Sequence, residues 1–524
     1  MQKFSTLSLY LLTTVLALSP RIAVAQEPDA PPGETRRLSV TNAVGLALEH
    51  NLGIQVARVN PLLQDLSIAA LRAAWAPSLT SSFGQSHTDA PASSFLSGSD
   101  SKTTDIRLTS NVGVQQSLGW GGSSYSLGWD NSRSTTTNFF SNFSPQVNSS
   151  LSFSFVQPLL KNFSIDNVRQ QLEIGRNNRS NSDLDLEASI VGTTRSVRNA
   201  YWELAFAIES LEVQRQSLDL ARESLRNNQA RVEIGTMAPI DIVEAEAEVA
   251  QREEAVIVAE AAIDRTEDTL RALIYDPAMR GFWTVKIEPT DRPPFVPTSV
   301  DVDSAVSNAL DRRTDLLQAR KTLESSNVDI RYLRNQTLPE INAKVDYGVT
   351  GIGGSQSIRG PGNGFIGPVI GTEIRPFSTV LNDLFTNEFP TWTVALNVTY
   401  PLGNSQPESN LAKARLQYSQ SQTQLRSQQL QVSTQVRDAA RSLTTNQKRV
   451  ASTRASRGLQ QRRLEAEEKK FTAGQSTSFF VFQAQRDLAV AQNNELRAIL
   501  DYNKSRVDFE AIQQAPLAGG GAPQ

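Results

Sequence analysis

The stretch from 166 to 233 contains no proline and carries apolar residues at seven-residue spacing. The spaced positions are Val197, Leu204, Leu211, Leu218, Leu225 and Val232. One helix over the whole stretch would be about 100 Å long at a rise of ~1.5 Å per residue. Because such a rod does not fit inside a compact domain, we expect an elongated molecule. The spacing suits an antiparallel coiled-coil stalk and equally a ring of helical hairpins around a wet tunnel.

The chain also repeats itself. An offset of 262 pairs Ala43 with Ala305, Ala47 with Ala309, Arg58 with Arg320 and Pro77 with Pro339. An offset of 239 pairs Val197 with Val436, Gly235 with Gly474 and Ala245 with Ala484. Each half has the same order of short helices, strands, a long helix, a glycine turn and a second long helix. This recurrence indicates two similar units that share one pseudo-symmetric core.

The duplication and the punctuating prolines define the predicted domains. The first repeat covers 39–275, with strands in 78–158 and a helical hairpin over 166–275. The second covers 298–513, with strands in 340–400 and a hairpin over 406–513. The proline-rich segment 276–297 is predicted to link them, and 514–524 is predicted to be a disordered tail.

The strand segments alternate apolar and polar residues over about ten positions, the length that a tilted membrane strand needs. The alternation is clearest in 340–349 and 391–400. A soluble sandwich would alternate in the same way. The segments 105–116 and 125–129, separated by a glycine turn at 119–122, exceed a simple pair of strands. They are extra barrel strands or an extension beside a barrel. The Gly-, Ser- and Pro-rich segment 351–389 is predicted to be a long outer loop.

The first 25 residues have the features of a secretory signal. Lys3 gives a positive start, an apolar run covers 7–18, and Ala23-Val24-Ala25 matches a cleavage site before Gln26. The mature chain is therefore expected to be exported. Since no later apolar run reaches ~18 residues, any membrane crossing is expected to use a closed β-barrel.

Composition argues against catalytic and nucleic-acid-binding functions. The chain has no cysteine, only two histidines and a formal net charge of -3. A thiolate nucleophile, a Cys-ligated metal and a basic footprint for nucleic acid are thereby excluded. The phosphate-binding, serine-hydrolase and zinc-protease sequence patterns are also missing. We therefore expect no enzyme activity, no cofactor and no metal.

Taken together, these features resemble the TolC family of outer-membrane efflux proteins over about 37–512. The most specific marks are the paired helix-to-strand prolines Pro77 and Pro339, the strand-end prolines Pro158 and Pro401, and the turn from Gly235 to Asp241. The resemblance implies an α+β membrane protein. Three copies would form one transmembrane β-barrel, continued by a long α-helical coiled-coil barrel across the periplasm, with two tandem repeats per chain.

The resemblance further implies the exit duct of a tripartite efflux or type I secretion system. A periplasmic adaptor and an inner-membrane transporter would engage the helical tips, and outer-membrane lipid would surround the barrel. A periplasmic coiled-coil adaptor or a stalk without a pore is the alternative function.

The predicted tips depart from the family pattern. Family members commonly carry acidic residues in the turn of the second repeat, where this chain has Phe480 and Gln483 after Gly474. The first-repeat turn keeps Asp241 and Glu244. One hypothesis is that Phe480 and Gln483 line the narrowest ring of the closed tunnel. The other is that the phenylalanines of 479–482 staple two helices together.

Overall fold

The computed structural model describes residues 35–91, 102–138, 140–361, 367–403 and 405–514. The predicted signal segment, and the predicted tail beyond Gln514, lie outside these residues. The helices are α1 (Val40–His50), α2 (Leu52–Arg72), α3 (Asn167–Glu233), α4 (Ile240–Ile274), α5 (Val302–Arg312), α6 (Thr314–Gln336), α7 (Phe377–Phe385), α8 (Gln406–Thr472) and α9 (Ser478–Gln513). The strands are β1 (Thr35–Leu38), β2 (Ser78–Pro91), β3 (Lys102–Ser117), β4 (Ser124–Thr136), β5 (Phe143–Pro158), β6 (Lys286–Pro289), β7 (Glu340–Arg359), β8 (Val369–Arg375) and β9 (Pro390–Thr399).

The two repeats match in length and in detail. Helices α3 and α8 both contain 67 residues. Each begins at a polar cap: Asp166 accepts a hydrogen bond from the Arg169 amide, and Ser405 forms a reciprocal capping box with Glu408. Such caps satisfy amide groups that have no partner within the helix, so each rod starts at a defined residue.

The heptad positions provide the packing of the rods. Val197, Leu204, Val436, Leu443 and Val450 are all buried. The buried residues divide into two main cores, one around α1, α3 and α4 and the other around α5 and α8. Helix α9 contributes residues to both. A seven-residue repeat keeps one stripe of each helix against its neighbour, which is why the pattern predicts the seam.

Part of the segment that joins the repeats packs on the first core. Strand β6 pairs in parallel with β1, from Thr35 opposite Lys286 to Leu38 opposite Pro289. The buried Tyr201 hydroxyl donates to the Leu38 carbonyl at 2.9 Å and accepts from the Asp291 amide at 3.0 Å. These bonds satisfy polar groups that burial would otherwise leave unpaired.

A second, larger sheet has the strand order β2-β3-β4-β5-β7, and both β8 and β9 pair with the far edge of β7. The described pairings in this sheet are antiparallel. The extra strand-like segments of the first repeat are β3 and β4, which lie inside the sheet between β2 and β5. The turn between them, at 118–123, contains Gly121 and Gly122 with φ of 63° and 66°.

The predicted long loop at 351–389 is wrong in part. Strand β7 continues to Arg359, and β8 and α7 both lie within the predicted loop. Small residues allow this continuation, because Gly351 and Gly353 pair with Ser149 and Val147 of β5. Composition alone indicated a loop, whereas the strand is stabilised by hydrogen bonds to neighbours distant in sequence.

The four boundary prolines lie where elements change. Strand β2 begins directly after Pro77, and β7 begins directly after Pro339. Strand β5 ends at Pro158, and β9 ends two residues before Pro401. The residue before a proline disfavours the helical region, which ends a helix there, and proline has no N–H to donate to a neighbouring strand, which ends a strand.

Candidate functional site

The large sheet has two chemically different faces. Cross-strand register places Leu127, Phe153, Tyr347 and Trp392 in one row across β4, β5, β7 and β9. Other members of this face are Leu79, Phe83, Val112, Trp129, Leu151, Val345, Val394, Leu396 and Val398. All of these side chains are exposed in the single chain. An exposed apolar surface spanning six strands is far larger than the patches usual on a water-soluble monomer.

The opposite face is polar. The matching row there consists of Ser126, Ser154, Asp346 and Thr393. Lys344 lies on the same face and forms an ion pair with Asp346 at 3.0 Å. Hydroxyl groups and half-exposed charges tolerate contact with water, so this face is suited to line an aqueous space.

The far end of each hairpin is closed by the same turn. Gly235 and Gly474 adopt φ of 76° and 71°. Thr236 and Gln475 each donate an amide hydrogen bond five residues back, to the carbonyls of Arg231 and Lys470, at 2.9 and 2.8 Å. This bond is part of a left-handed helix cap. Nothing lies within 4 Å of a Cβ placed on either glycine, so the backbone angle, not space, requires glycine there.

Apolar side chains project from both tips. Ile234, Ile240 and Val243 are exposed around the first turn. At the second turn, Phe479 and Phe480 are half exposed and pack edge to face, with ring centroids 5.6 Å apart. Val481 and Phe482, the next two residues, are buried. Helix α9 therefore directs one pair of apolar residues outward and the following pair into the packing between helices.

Polar contacts join the two hairpins near their tips. The Ser478 hydroxyl donates to Asp241 Oδ1 at 3.1 Å, and Gln485 Nε2 donates to Ser224 Oγ at 3.3 Å. The Arg231 guanidinium also lies 4.4 Å from the centre of the Phe471 ring. Hydrogen bonds and cation–π contacts of this kind contribute roughly 0.5–1.5 kcal/mol each.

A buried carboxylate adds an ionic contact between the hairpins. Glu248 of α4 accepts hydrogen bonds from Arg252 on its own helix, at 2.8 and 2.5 Å. Arg486 of α9 donates to the same carboxylate at 2.8 Å. Sequence reasoning missed this pair. The local sequence, Ala-Glu-Ala-Glu-Val over 245–249, does not distinguish Glu248 from Glu246.

A groove of about 410 Å³ lies between α3, α8 and the start of α9 at the tip. Glu468 lines it, and burial followed by the nearby Glu223 and Glu465 carboxylates raises the pKa of Glu468. On the same helix, hydrogen bonds from Lys470 and Ser476 lower the pKa of Glu467. The tip therefore contains two adjacent carboxyl groups whose pKa values are shifted in opposite directions.

The tip residues predicted from the sequence lie in different surroundings. Asp241 lies between the hairpins through its bond to Ser478. Glu244 is exposed and Gln483 is partly buried. No group of three or more histidine or acidic side chains is placed to bind a metal in the described part of the chain.

Comparison with known proteins identifies the family. The family model described as outer membrane efflux protein matches residues 43–274 and 305–512, one segment in each repeat. The chain belongs to the outer membrane efflux protein family. The resemblance seen in the sequence is therefore confirmed. A direct comparison with curated protein sequences finds no match.

Solved structures share the fold of this outer-membrane efflux protein. The CmeC outer membrane channel of Campylobacter jejuni is 14% identical, with a TM-score of 0.62 over 92% of this chain and 87% of that one. VceC of Vibrio cholerae is 15% identical, with a TM-score of 0.60 over 91% and 97%. The open-state MtrE channel of Neisseria gonorrhoeae is 17% identical, with a TM-score of 0.61 over 91% and 89%.

Family membership gives the molecule its place and general activity. It is an efflux channel of the outer membrane, and its helical part lies in the periplasm. The alternative of a periplasmic adaptor or pore-free stalk is not supported by this assignment. None of the helices among the described residues is long and apolar enough to span a membrane.

Proposed function

We propose that three copies of this outer-membrane efflux protein form a passive duct from the periplasm to the exterior. The observation that carries the proposal is the two-faced sheet. Its apolar face, with Leu127, Phe153 and Trp392, meets lipid, and its polar face, with Ser154 and Asp346, lines the water-filled lumen. A soluble sandwich would instead cover its apolar face with a second sheet.

Closure of the sheet requires other copies. Among the described residues, β2 and β9 are the two free edges of a six-stranded path from β2 to β9. In the proposed trimer, β9 of one copy pairs with β2 of the next, which leaves no open edge in lipid. Three copies give ~18 strands, a number that leaves an aqueous channel in other barrels.

The periplasmic end is the proposed gate. The exposed apolar residues of the two tips, among them Ile240 and Phe480, meet around the axis in the closed state. The Asp241–Ser478 and Glu248–Arg486 contacts hold the hairpins together in this state. A periplasmic adaptor docks at the tips and favours the open arrangement through its better fit to that arrangement. An inner-membrane transporter supplies the energy and selects the cargo.

The test is single-channel recording of the detergent-purified protein in a planar bilayer, with its mass measured by light scattering. A trimer that inserts and gives small, rarely open currents supports the proposal. A protein of monomeric mass, or one that never inserts, contradicts it.

A further inference from the structure

Helix α7 lies on the apolar face of the sheet. Side chains alternate along β7, so Gly351 and Gly353 belong to the same face as Tyr347. A Cβ on Gly353 would stand only 2.5 Å from Val380 Cγ2, so α7 approaches because the strand lacks side chains there. Directly after the helix, Asn387 Oδ1 accepts a hydrogen bond from the Tyr347 hydroxyl at 2.5 Å.

Helix α7 has two apolar stripes, one buried against the sheet and one exposed. Val380, Asp383 and Leu384 are buried against the sheet. Phe377, Leu381 and Phe385 follow each other at four-residue spacing and form a second apolar stripe beside the buried one. Within the described part of the chain, 85% of the Phe385 surface is exposed.

The remaining surface of α7 carries no charge. Ser378, Asn382 and Thr386 follow one another at four-residue spacing and are exposed. Asp383 is the only charged residue of the helix, and it forms an ion pair with Arg375 at 3.2 Å while it is buried. Because this one charge is buried and paired, the exposed surface of the helix has an apolar stripe beside an uncharged polar stripe, which fits a boundary between hydrocarbon and water.

The position of α7 along the strand fits the same boundary. Twelve residues of β7 separate Ile341, where the apolar face begins, from Gly353 under the helix. At ~3.3 Å per residue and a tilt of ~40° they rise about 30 Å, slightly more than the ~25 Å apolar band of an outer-membrane barrel. The helix therefore lies at the end of the apolar band that is distant from the periplasmic rods.

We propose that α7 is an interfacial helix that rests in the outer leaflet of the membrane. Phe377, Leu381 and Phe385 enter the acyl region, and Ser378 and Asn382 face the headgroups. The inference rests on the proposed function, since it takes the apolar face of the sheet to meet lipid. The continuity of the Phe377–Phe385 stripe with that face favours lipid as its partner over a neighbouring copy of the chain.

The absence of cysteine makes a site-specific test possible. The variants Phe385→Cys and Leu381→Cys are labelled with an environment-sensitive fluorophore and reconstituted in phosphatidylcholine vesicles. Lipids carrying nitroxides near the headgroup or deep in the chain, and iodide in the water, serve as quenchers. Ser378→Cys is the matched control on the same helix. Val394→Cys and Thr393→Cys report the lipid face and the polar face of β9.

Both stripe labels are expected to be quenched about twofold more strongly by the shallow nitroxide than by iodide, with the order reversed at Ser378. Stripe labels that respond to iodide alone would place α7 in water. Labels protected from every quencher would place the stripe against another copy. Either result overturns the inference. If the Val394 label also fails to respond to nitroxide lipids, the proposed barrel itself is wrong.

Discussion

Arg486 Nη1 donates a hydrogen bond to Glu248 Oε2 at 2.8 Å, across a sequence separation of 238 residues. The pair connects α9 of the second repeat to α4 of the first, a little over two turns from the first residue of each helix. Glu248 is 5% exposed, while 36% of the Arg486 side chain is exposed. The contact therefore has one partner fixed in the interior and one that solvent reaches.

Replacement of Arg486 by Gln is expected to favour the open channel. Arg252 still pairs with Glu248 in this variant, so the loss is that of one half-exposed ion pair, about 0.5–1 kcal/mol. Such a loss raises a small open probability roughly two- to fivefold, which single-channel recording measures. Arg463→Gln is the control, because Arg463 pairs with Asp487 at 2.8 Å inside one hairpin. Equal effects of the two variants would contradict a role of Arg486 between hairpins.

Replacement by Ala is expected to affect the conductance at Phe480 and the stability at Phe482. Phe480 is 49% exposed and Phe482 is 4% exposed. Phe480→Ala should increase the closed-state conductance and leave the melting temperature nearly unchanged. Phe482→Ala should lower the free energy of unfolding by about 3–5 kcal/mol, because it leaves a cavity between packed helices. Unchanged conductance in Phe480→Ala would count against its position in the gate.

Gly474→Ala is expected to destabilise the second tip by about 1–2 kcal/mol, because an L-residue is strained at its positive φ. Gly458→Ala is the matched control within α8, where a Cβ meets nothing within 4 Å. Since alanine favours a helix over glycine, that variant should stabilise by about 1 kcal/mol. Local stability at the tip is measured by amide hydrogen exchange. The same sign for both variants would refute the role given to the turn.

Mild acid is expected to strengthen the contacts around the groove between α3, α8 and α9 at the tip, through Glu468. Burial raises the pKa of this carboxyl above its ordinary value of 4.5. The stabilisation by its neutral form is therefore full below pH ~4.5 and is lost as the pH rises through the raised pKa. Glu468→Gln should protect the tip amides from exchange at neutral pH and remove this pH dependence.

Glu467 provides the contrasting control. Hydrogen bonds from Lys470 and Ser476 lower its pKa, so its contribution is present at neutral pH and is lost as the pH falls through the lowered value. Glu467→Gln should consequently weaken the tip at neutral pH, where Glu468→Gln strengthens it. Identical exchange profiles for the two variants would refute the opposite assignments.

The sequence by itself determined the long rods, the duplication and much of the sheet. Heptad spacing around Val197 and Val436 predicts the seams because a helix buries the same stripe at every second turn. Strict alternation in 340–349 predicts a strand with two different faces for a similarly local reason. The family and its function followed from these patterns and from the paired prolines.

The tertiary structure decided the features that depend on contacts between residues distant in sequence. The segment 351–389 had the composition of a loop, yet hydrogen bonds to β5 extended β7 and glycines admitted α7 onto the sheet. The Glu248–Arg486 pair could not be predicted, since its spacing depends on how two hairpins pack side by side. The exposures of Phe480 and Phe482 differ for the same reason. The two residues are two positions apart and point to opposite sides of α9. Only the packing of the helices determines which side is buried.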